Sequence, residues 1–359
     1  MTSFPLPPLS AIGILGGGQL GRMLALAAGR LGFDSVVLGP EQDSPAGRVA
    51  SRQIVAAFDD PLALAQLSQA VQVVTFEFEN VPAATLERLS AHSVAIAPGA
   101  RALAVAQDRV DEKSFLNAAG VATVAFEAVD SAQDCVLAVS RIGTPSLLKT
   151  RREGYDGKGQ VWIESPADAT AAFDSLGGAP CILEAAAPFL RELSVIAARG
   201  RDGEIVLYPL GENHHESGVL RRTSAPATVA PAVAAQAERI AHQVLNGLDY
   251  VGVMGIELFE MPGEVLLVNE LAPRVHNSGH WTQDGCEVDQ FEQHIRAIAG
   301  WPLGPTDAIR HVEMTNLLGA EADEWEKLAA EPEGRLHLYG KRGGGAGRKM
   351  GHINRVRPV

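Results

Sequence analysis

The stretch Ile12-Gly13-Ile14-Leu15-Gly16-Gly17-Gly18-Gln19-Leu20-Gly21-Arg22-Met23 passes from a short apolar run through a glycine-rich turn into a helical pattern. Gly16, Gly18 and Gly21 satisfy the spacing G-x-G-x-x-G, and backbone N–H groups at the head of such a helix, together with its dipole, favour an anion. The dinucleotide-binding version also needs an acidic residue at the end of the next strand, to hold a ribose hydroxyl. Here Val37-Leu38 is followed by Gly39-Pro40, and Glu41 comes late. An NAD-dependent oxidoreductase is therefore disfavoured. A plain packing turn or a loop that meets a small substrate remains, the latter preferred.

Working outward, apolar runs at 12–15, 35–38, 73–76 and 94–97 alternate with helical patterns at 19–31, 62–70 and 83–90, which predicts a parallel sheet with crossover helices. Pro98-Gly99 closes this unit, and a helix over 109–119 ends at Gly120, suited to the left-handed position after a helix. Residues 121–188 read as a small α+β module with strands near 146–149, 160–163 and 181–184 and a helix near 167–176. The next region carries strands at 192–198, 204–208, 251–259 and 265–271 with helices at 231–245 and 290–299, an antiparallel sheet with packed helices. A short final segment ends in a glycine-rich basic tail, 341–349. Four units are thus expected: 1–105, 106–190, 191–300 and 301–359.

A chain of 359 residues exceeds the roughly 250 to 300 at which single cores stop growing, in keeping with several domains. Lys and Arg number 30 against 43 Asp and Glu, a net charge of −13 that argues against a nucleic acid or an anionic membrane as partner. Cys135, Cys181 and Cys286 form no C-x-x-C pair, so neither a disulfide framework nor a thiolate zinc site is signalled. Met1 to Pro8 lacks the pattern of an export signal, and no apolar run is long enough to span a membrane. A cytoplasmic location is expected.

Glu153-Gly154-Tyr155-Asp156-Gly157-Lys158-Gly159 follows Lys149 and joins two expected strands. Its glycines let backbone approach phosphate oxygens and its lysines balance their charge, although Asp156-Gly157 is equally a hairpin turn. Glu257 on one strand and Asn269-Glu270 on the next are joined through Pro262-Gly263. If Glu260 pairs with Val265, Glu270 becomes the diagonal neighbour of Glu257 at roughly 7 to 8 Å, and two hard carboxylates converge as Mg2+ shared with ATP requires. Arg274-Val275-His276-Asn277-Ser278-Gly279-His280 follows, an anion-holding run. Its two histidines have a spacing that zinc accepts on a helix, but Gly279 opposes a helix and no third ligand stands nearby. Lys341, Arg348 and Lys349 could close over a phosphate.

In order, these stretches, with Thr75-Phe76-Glu77-Phe78-Glu79-Asn80-Val81-Pro82 and the run from Asn269 to Thr282, closely resemble the N5-carboxyaminoimidazole ribonucleotide synthetases, ATP-grasp enzymes of purine biosynthesis, from Ile12 to Asn354. The resemblance implies an ATP-grasp fold with an N-terminal Rossmann-like domain and a small C-terminal module. It also implies a homodimer, and a reaction that uses ATP, Mg2+ and bicarbonate to carboxylate 5-aminoimidazole ribonucleotide. On ATP phosphates it places Arg109, Lys149 and the flap Gly154, Tyr155, Asp156, Gly157, Lys158, Gly159 and Gln160. On adenine and ribose it places Glu184, Ala185, Ala186, Ala187 and Glu192, with His215 nearby. Glu257 and Glu270, helped by Asn269, would hold Mg2+. Gln19, Leu20 and Glu77 would meet the ribonucleotide, with Lys341, Arg348 and Lys349 on its phosphate. Arg274 and His276, with Tyr155 and Lys158, would face the carboxylating intermediate, and either His276 or that intermediate's phosphate would take the amine proton. The tail departs from the family, reading Arg342-Gly343-Gly344-Gly345-Ala346-Gly347 where Pro-Gly usually precedes the Arg-Lys pair, so Arg342 competes with Lys341 for the phosphate. Ala185 stands where a second acid is common. The nearest rival is the formate-using glycinamide ribonucleotide transformylase, which shares the ATP half.

Overall fold

The apolar run at the head of the chain forms β1 (Ala11–Leu15), the middle strand of a parallel sheet, and its Ile12, Ile14 and Leu15 are fully buried, as strands covered on both faces require. In the computed structural model, which describes residues 2–154, 157–343, 345 and 347–358, α1 (Gln19–Arg30), β2 (Asp34–Gly39), β3 (Arg52–Val55), α2 (Pro61–Ala70), β4 (Val73–Phe76), α3 (Ala83–Ala91) and β5 (Ala95–Ile96) follow. The sheet order is β3-β2-β1-β4-β5, the parallel sheet that the alternation predicts in the Rossmann-like arrangement that the resemblance implies. Asp60 caps α2 by accepting from the N–H groups of Leu62 and Ala63, and Pro61 occupies the first turn, where a missing N–H costs nothing.

Two helices lead out of this domain, α4 (Ala100–Ala106) and α5 (Arg109–Ala118), the second capped by Asp108 and ended by Gly120 at φ +75°. The next module is a four-stranded antiparallel sheet ordered β6-β9-β7-β8, built from β6 (Phe126–Val129), β7 (Ser146–Thr150), β8 (Gln160–Ile163) and β9 (Cys181–Ala185). It packs on α6 (Ala132–Ile142) and α7 (Ala169–Ser175). The expected strands and helix are present; β6 and α6 are additions.

The largest sheet begins with β10 (Arg191–Arg199), β11 (Ile205–Leu207), β12 (Gly211–Glu216) and β13 (Val219–Ala225). It continues after α8 (Pro231–Gly247) with β14 (Gly252–Met261) and β15 (Val265–Ala272), and then with β16 (Arg310–Leu318), β17 (Gly334–Leu338) and β18 (Lys349–Pro358). Its order is β15-β14-β10-β12-β13-β16-β18-β17, with β11 beside β10, so the final segment extends the sheet that carries the acidic strands. The helix Gln290–Ala299 packs its Phe291, Ile295 and Ile298 into one core with Ile12 and Leu24 of the first domain. His294 on that helix joins the two units: its Nε2 lies 2.8 Å from Thr75 Oγ1, and its Nδ1 accepts from Val253 N–H at 3.0 Å. Among the described residues no helix is long and apolar enough to cross a membrane.

Candidate active site

A cavity of about 490 Å³ opens where the three sheets meet, between the β7-β8 connection, the ends of β14 and β15, and the head of α1. Its acidic floor comes from a register shift. The expected diagonal arrangement is corrected: Glu260 pairs with Leu266, Leu258 with Val268, and then Glu257 with Glu270, so Asn269 is the extra residue of a β-bulge. The bulge turns a diagonal relation into a direct one, with Glu257 and Glu270 facing each other across the ladder. Burial and the neighbouring Glu270 push the Glu257 carboxyl up to about 7. Burial also opposes ionisation of Glu270, but Arg109 Nη1 at 2.9 Å outweighs it and holds that carboxyl well below its ordinary value. On the bulge residue itself, Asn269 Oδ1 is buried with no hydrogen-bond partner among the described residues. Two carboxylates and an orphaned amide oxygen form a hard donor set that fits Mg2+, which takes few protein ligands and keeps several waters.

Cations ring this floor. Lys149 on β7 donates to Glu184 on β9 at 2.7 Å, and the same carboxylate lies 3.3 Å from Lys113. Gly154, Gly157, Lys158 and Gln160 of the flap line the cavity, whereas Gly159, at φ +70° and facing Thr150, serves the turn. Tyr155 and Asp156 lie outside the described residues. Ala185, Ala186 and Ala187 continue the lining from Glu184, and Phe189, stacked on Phe259 at 4.6 Å, extends an apolar wall with Leu147 and Trp162. Glu192 and His215 contact each other at the same wall; burial opposes charge on the imidazole, but Glu192 and Glu257 raise its pKa.

Arg274 and His276 come off the end of β15. Arg274 Nε donates to Glu79 Oε2 at 2.5 Å, tying this strand end to the loop after β4. His276 Nδ1 accepts from Ser278 N–H at 3.3 Å and lies 2.9 Å from the Ser278 hydroxyl, which leaves the ring proton on Nε2, 3.4 Å from Glu257. Burial and Arg274 push this imidazole down to about 3, so it is neutral. His280 does not join it as a zinc ligand; its Nδ1 takes the Gln290 amide at 3.1 Å, and no cluster of three or more His, Cys, Asp or Glu able to hold a metal occurs among the described residues.

At the other end Gln19, Leu20 and Lys349 line the cavity, while Glu77 stands behind the glycine turn and accepts from the N–H groups of Gly18 and of Gly21, the latter at 2.8 Å. The anion position at the head of α1 is filled by the protein's own carboxylate, which is why this turn is not a dinucleotide phosphate site. Lys341 donates to the Lys349 carbonyl at 2.8 Å, and burial together with Arg348 lowers its pKa to about 8. Arg348 is exposed and donates to the carbonyls of Arg342 and Gly343. The tail reaches the first domain through Arg342 to Asp43 at 2.7 Å and through Arg48 to the Gly340 carbonyl.

Three residues that the sequence reading did not single out belong to this site. Glu79 holds Arg274; Glu112 lines the cavity beside Arg109 and Lys113 is buried against Glu184, at the i+3 and i+4 spacing that could have revealed them. Burial pushes the Glu112 carboxyl up to about 8.

Comparison with known proteins bears on this arrangement along the whole chain. Residues 9–107 match the ribonucleotide synthetase preATP-grasp domain, 114–291 the ATP-grasp domain, and 313–358 the phosphoribosylaminoimidazole carboxylase C-terminal domain. The N5-carboxyaminoimidazole ribonucleotide synthase of Brucella melitensis is 48% identical, over 100% of this chain and 99% of its own length. The N5-carboxyaminoimidazole ribonucleotide synthetase of Thermus thermophilus superposes with a TM-score of 0.90 at 44% identity, covering 96% of this chain and 93% of that one. The N5-carboxyaminoimidazole synthase of Aspergillus clavatus, in complex with ADP and 5-aminoimidazole ribonucleotide, does so at 0.91 and 30% identity, covering 98% and 94%. The chain belongs to the N5-carboxyaminoimidazole ribonucleotide synthase family, ATP-dependent ligases of purine biosynthesis that convert 5-aminoimidazole ribonucleotide to its N5-carboxy derivative with ATP and bicarbonate.

Proposed function

We propose that the chain carries out this reaction with Glu257, Asn269 and Glu270 holding Mg2+, with ATP between the flap and β15, and with the ribonucleotide between the head of α1 and the basic tail. The observation that carries the assignment is the bulged pairing of Glu257 with Glu270 beside the orphaned Asn269 oxygen, ringed by Arg109 and Lys149. When bound there, Mg2+ supplies positive charge to the phosphoryl group in transfer. Arg109, Lys149, Lys158 and the flap backbone at Gly154, Gly157 and Gln160 orient the phosphates, with Gly159 shaping the turn. Glu184 to Ala187, Glu192 and His215 meet adenine and ribose. Gln19 and Leu20 meet the acceptor, with Glu77 holding the glycine turn behind them, and Lys341, Arg348 and Lys349 take its phosphate.

Bicarbonate is a poor electrophile, so one of its oxygens attacks the γ-phosphorus, the bond to ADP breaks, and carboxyphosphate forms; cationic side chains offset the charge of that step. The exocyclic amine then attacks the carboxyl carbon, of carboxyphosphate or of carbon dioxide released from it, as the bond to phosphate breaks and the amine loses a proton. Arg274, locked by Glu79, faces the departing phosphate. His276 acts as a donor through Nε2–H, because Ser278 occupies its Nδ1 and the ring is neutral. That leaves the leaving phosphate as the proton acceptor. Closure of the flap excludes water, which would otherwise consume carboxyphosphate.

The direct test is ADP release from ATP, Mg2+ and bicarbonate, with and without 5-aminoimidazole ribonucleotide. Stimulation by the ribonucleotide is expected. Stimulation instead by glycinamide ribonucleotide with formate would move the acceptor half to the transformylase reading. A cytoplasmic homodimer completes the proposal: the three cysteines are free and buried, which suits a reducing compartment, and light scattering in solution measures the oligomeric state.

A further inference from the structure

β15 is an edge strand, and the groups along its outer side are taken up by α5 and the segment that leaves it. Val268 N–H donates to the Ala122 carbonyl at 2.9 Å, Lys113 Nζ to the Asn269 carbonyl at 3.0 Å, and Leu271 N–H to Glu112 Oε1 at 2.8 Å. Arg109, one turn back on the same helix face, takes the Glu270 side chain. The bulge breaks the regular ladder at Asn269, so β14 alone does not fix this part of the strand. Backbone bonds on either side of Glu270 therefore come from two fully buried ionisable side chains of α5.

We infer that Glu112 and Lys113 are positioning residues for the divalent-cation site: they fix the backbone of the bulge so that Asn269 Oδ1 and the Glu270 carboxylate converge with Glu257. The inference rests on the proposed metal assignment. Partners that orient ligands are generally worth about ten- to a hundredfold in metal affinity. Glu112 is the cleaner probe, because Lys113 also touches Glu184 on the nucleotide side. Glu112→Leu removes the acceptor for Leu271 N–H, whereas Glu112→Gln keeps an oxygen acceptor and removes the ionisable carboxyl.

The experiment titrates Mn2+ into full-length protein saturated with ADP, counting free Mn2+ by electron paramagnetic resonance, and follows amide exchange of the peptide spanning residues 265–272. Glu112→Leu is expected to weaken Mn2+ by about tenfold, to speed exchange in that peptide, and to leave ADP affinity in EDTA within about twofold; Glu112→Gln should bind Mn2+ close to wild type. Should Glu112→Leu not fold, Lys113→Met replaces it, with the same loss of Mn2+ affinity and faster exchange expected. Faster exchange with unchanged Mn2+ affinity overturns the inference, and so does an equal loss in the Leu and Gln variants, since the hydrogen bond would then not be the cause. If Glu270→Gln binds Mn2+ as well as wild type, the metal assignment itself fails and takes this inference with it.

Discussion

Substituting Gly18 with alanine isolates the contact that occupies the head of α1. Gly18 has φ −77°, which alanine adopts freely, so the backbone offers no objection. A Cβ there would stand 2.5 Å from Glu77 Oε1 and 2.8 Å from Oε2, and the carboxylate must leave. It would surrender two hydrogen bonds from main-chain N–H groups, at roughly 1.5 to 3 kcal/mol each for a charged acceptor. Burial pushes the Glu77 carboxyl up despite those bonds, so keeping it ionised already costs something and brings the total below that of two full bonds, to about 2 to 4 kcal/mol. Glu77→Ala loses the same bonds. The two changes should therefore not add: the double variant should be as stable as Glu77→Ala alone, with a coupling energy of about 2 kcal/mol or more. Native-state hydrogen exchange of residues 19–30 gives the opening free energy in all four proteins. Additivity within about 0.5 kcal/mol would refute the reasoning, because Gly18 would then answer to something other than Glu77.

Three further outcomes are expected. Glu270→Gln should leave the circular dichroism spectrum unchanged and lower turnover by roughly a thousandfold at saturating Mg2+, since one metal charge is removed with little change in volume; near wild-type turnover would take Glu270 out of the site. Arg348→Ala should raise the Michaelis constant for 5-aminoimidazole ribonucleotide by roughly ten- to a hundredfold while the constant for ATP stays put, and a fall in ATP affinity instead would detach the tail from the substrate phosphate. Lys341 is lowered to about 8 by burial and by Arg348, so it is cationic below that pH and neutral above it; the Michaelis constant for the ribonucleotide should climb above pH 8, and a flat profile in which Lys341→Arg changes nothing would count against a phosphate role.

The parallel sheet was legible because β1, β2 and β4 are apolar runs buried on both faces, and only β3, an edge strand reading Arg52-Gln53-Ile54-Val55, escaped notice. Strands with polar interiors were not. β12 reads Gly211-Glu212-Asn213-His214-His215-Glu216 and carries cavity groups, while β16 and β18 bury Asn316, His352 and Asn354. Asn316 and Asn354 donate to the Leu220 and His280 carbonyls, so hydrogen bonds hold them where hydrophobic patterning has nothing to detect. In the site, the converging acids were readable from two adjacent strands, but a bulge is a missing pairing, and spacing alone predicts the unbroken ladder. The histidine pair at 276 and 280 gave a spacing without an environment; Ser278 and Gln290 decide what each ring does.

The sheet order also has a consequence for synthesis. Among the described residues β13 finds its outer neighbour in β16, and β16 in turn is flanked by β18, so residues made last supply the partners of a strand made well before them. While the nascent chain lacks them, β13 presents a row of unsatisfied N–H and C=O groups, an open template for another chain. The acid-bearing strands β10, β14 and β15 have their partners earlier, so translation completes the Glu257–Glu270 ladder before β16 and β18 arrive. Chaperone demand should therefore concentrate in the interval between β13 and β18.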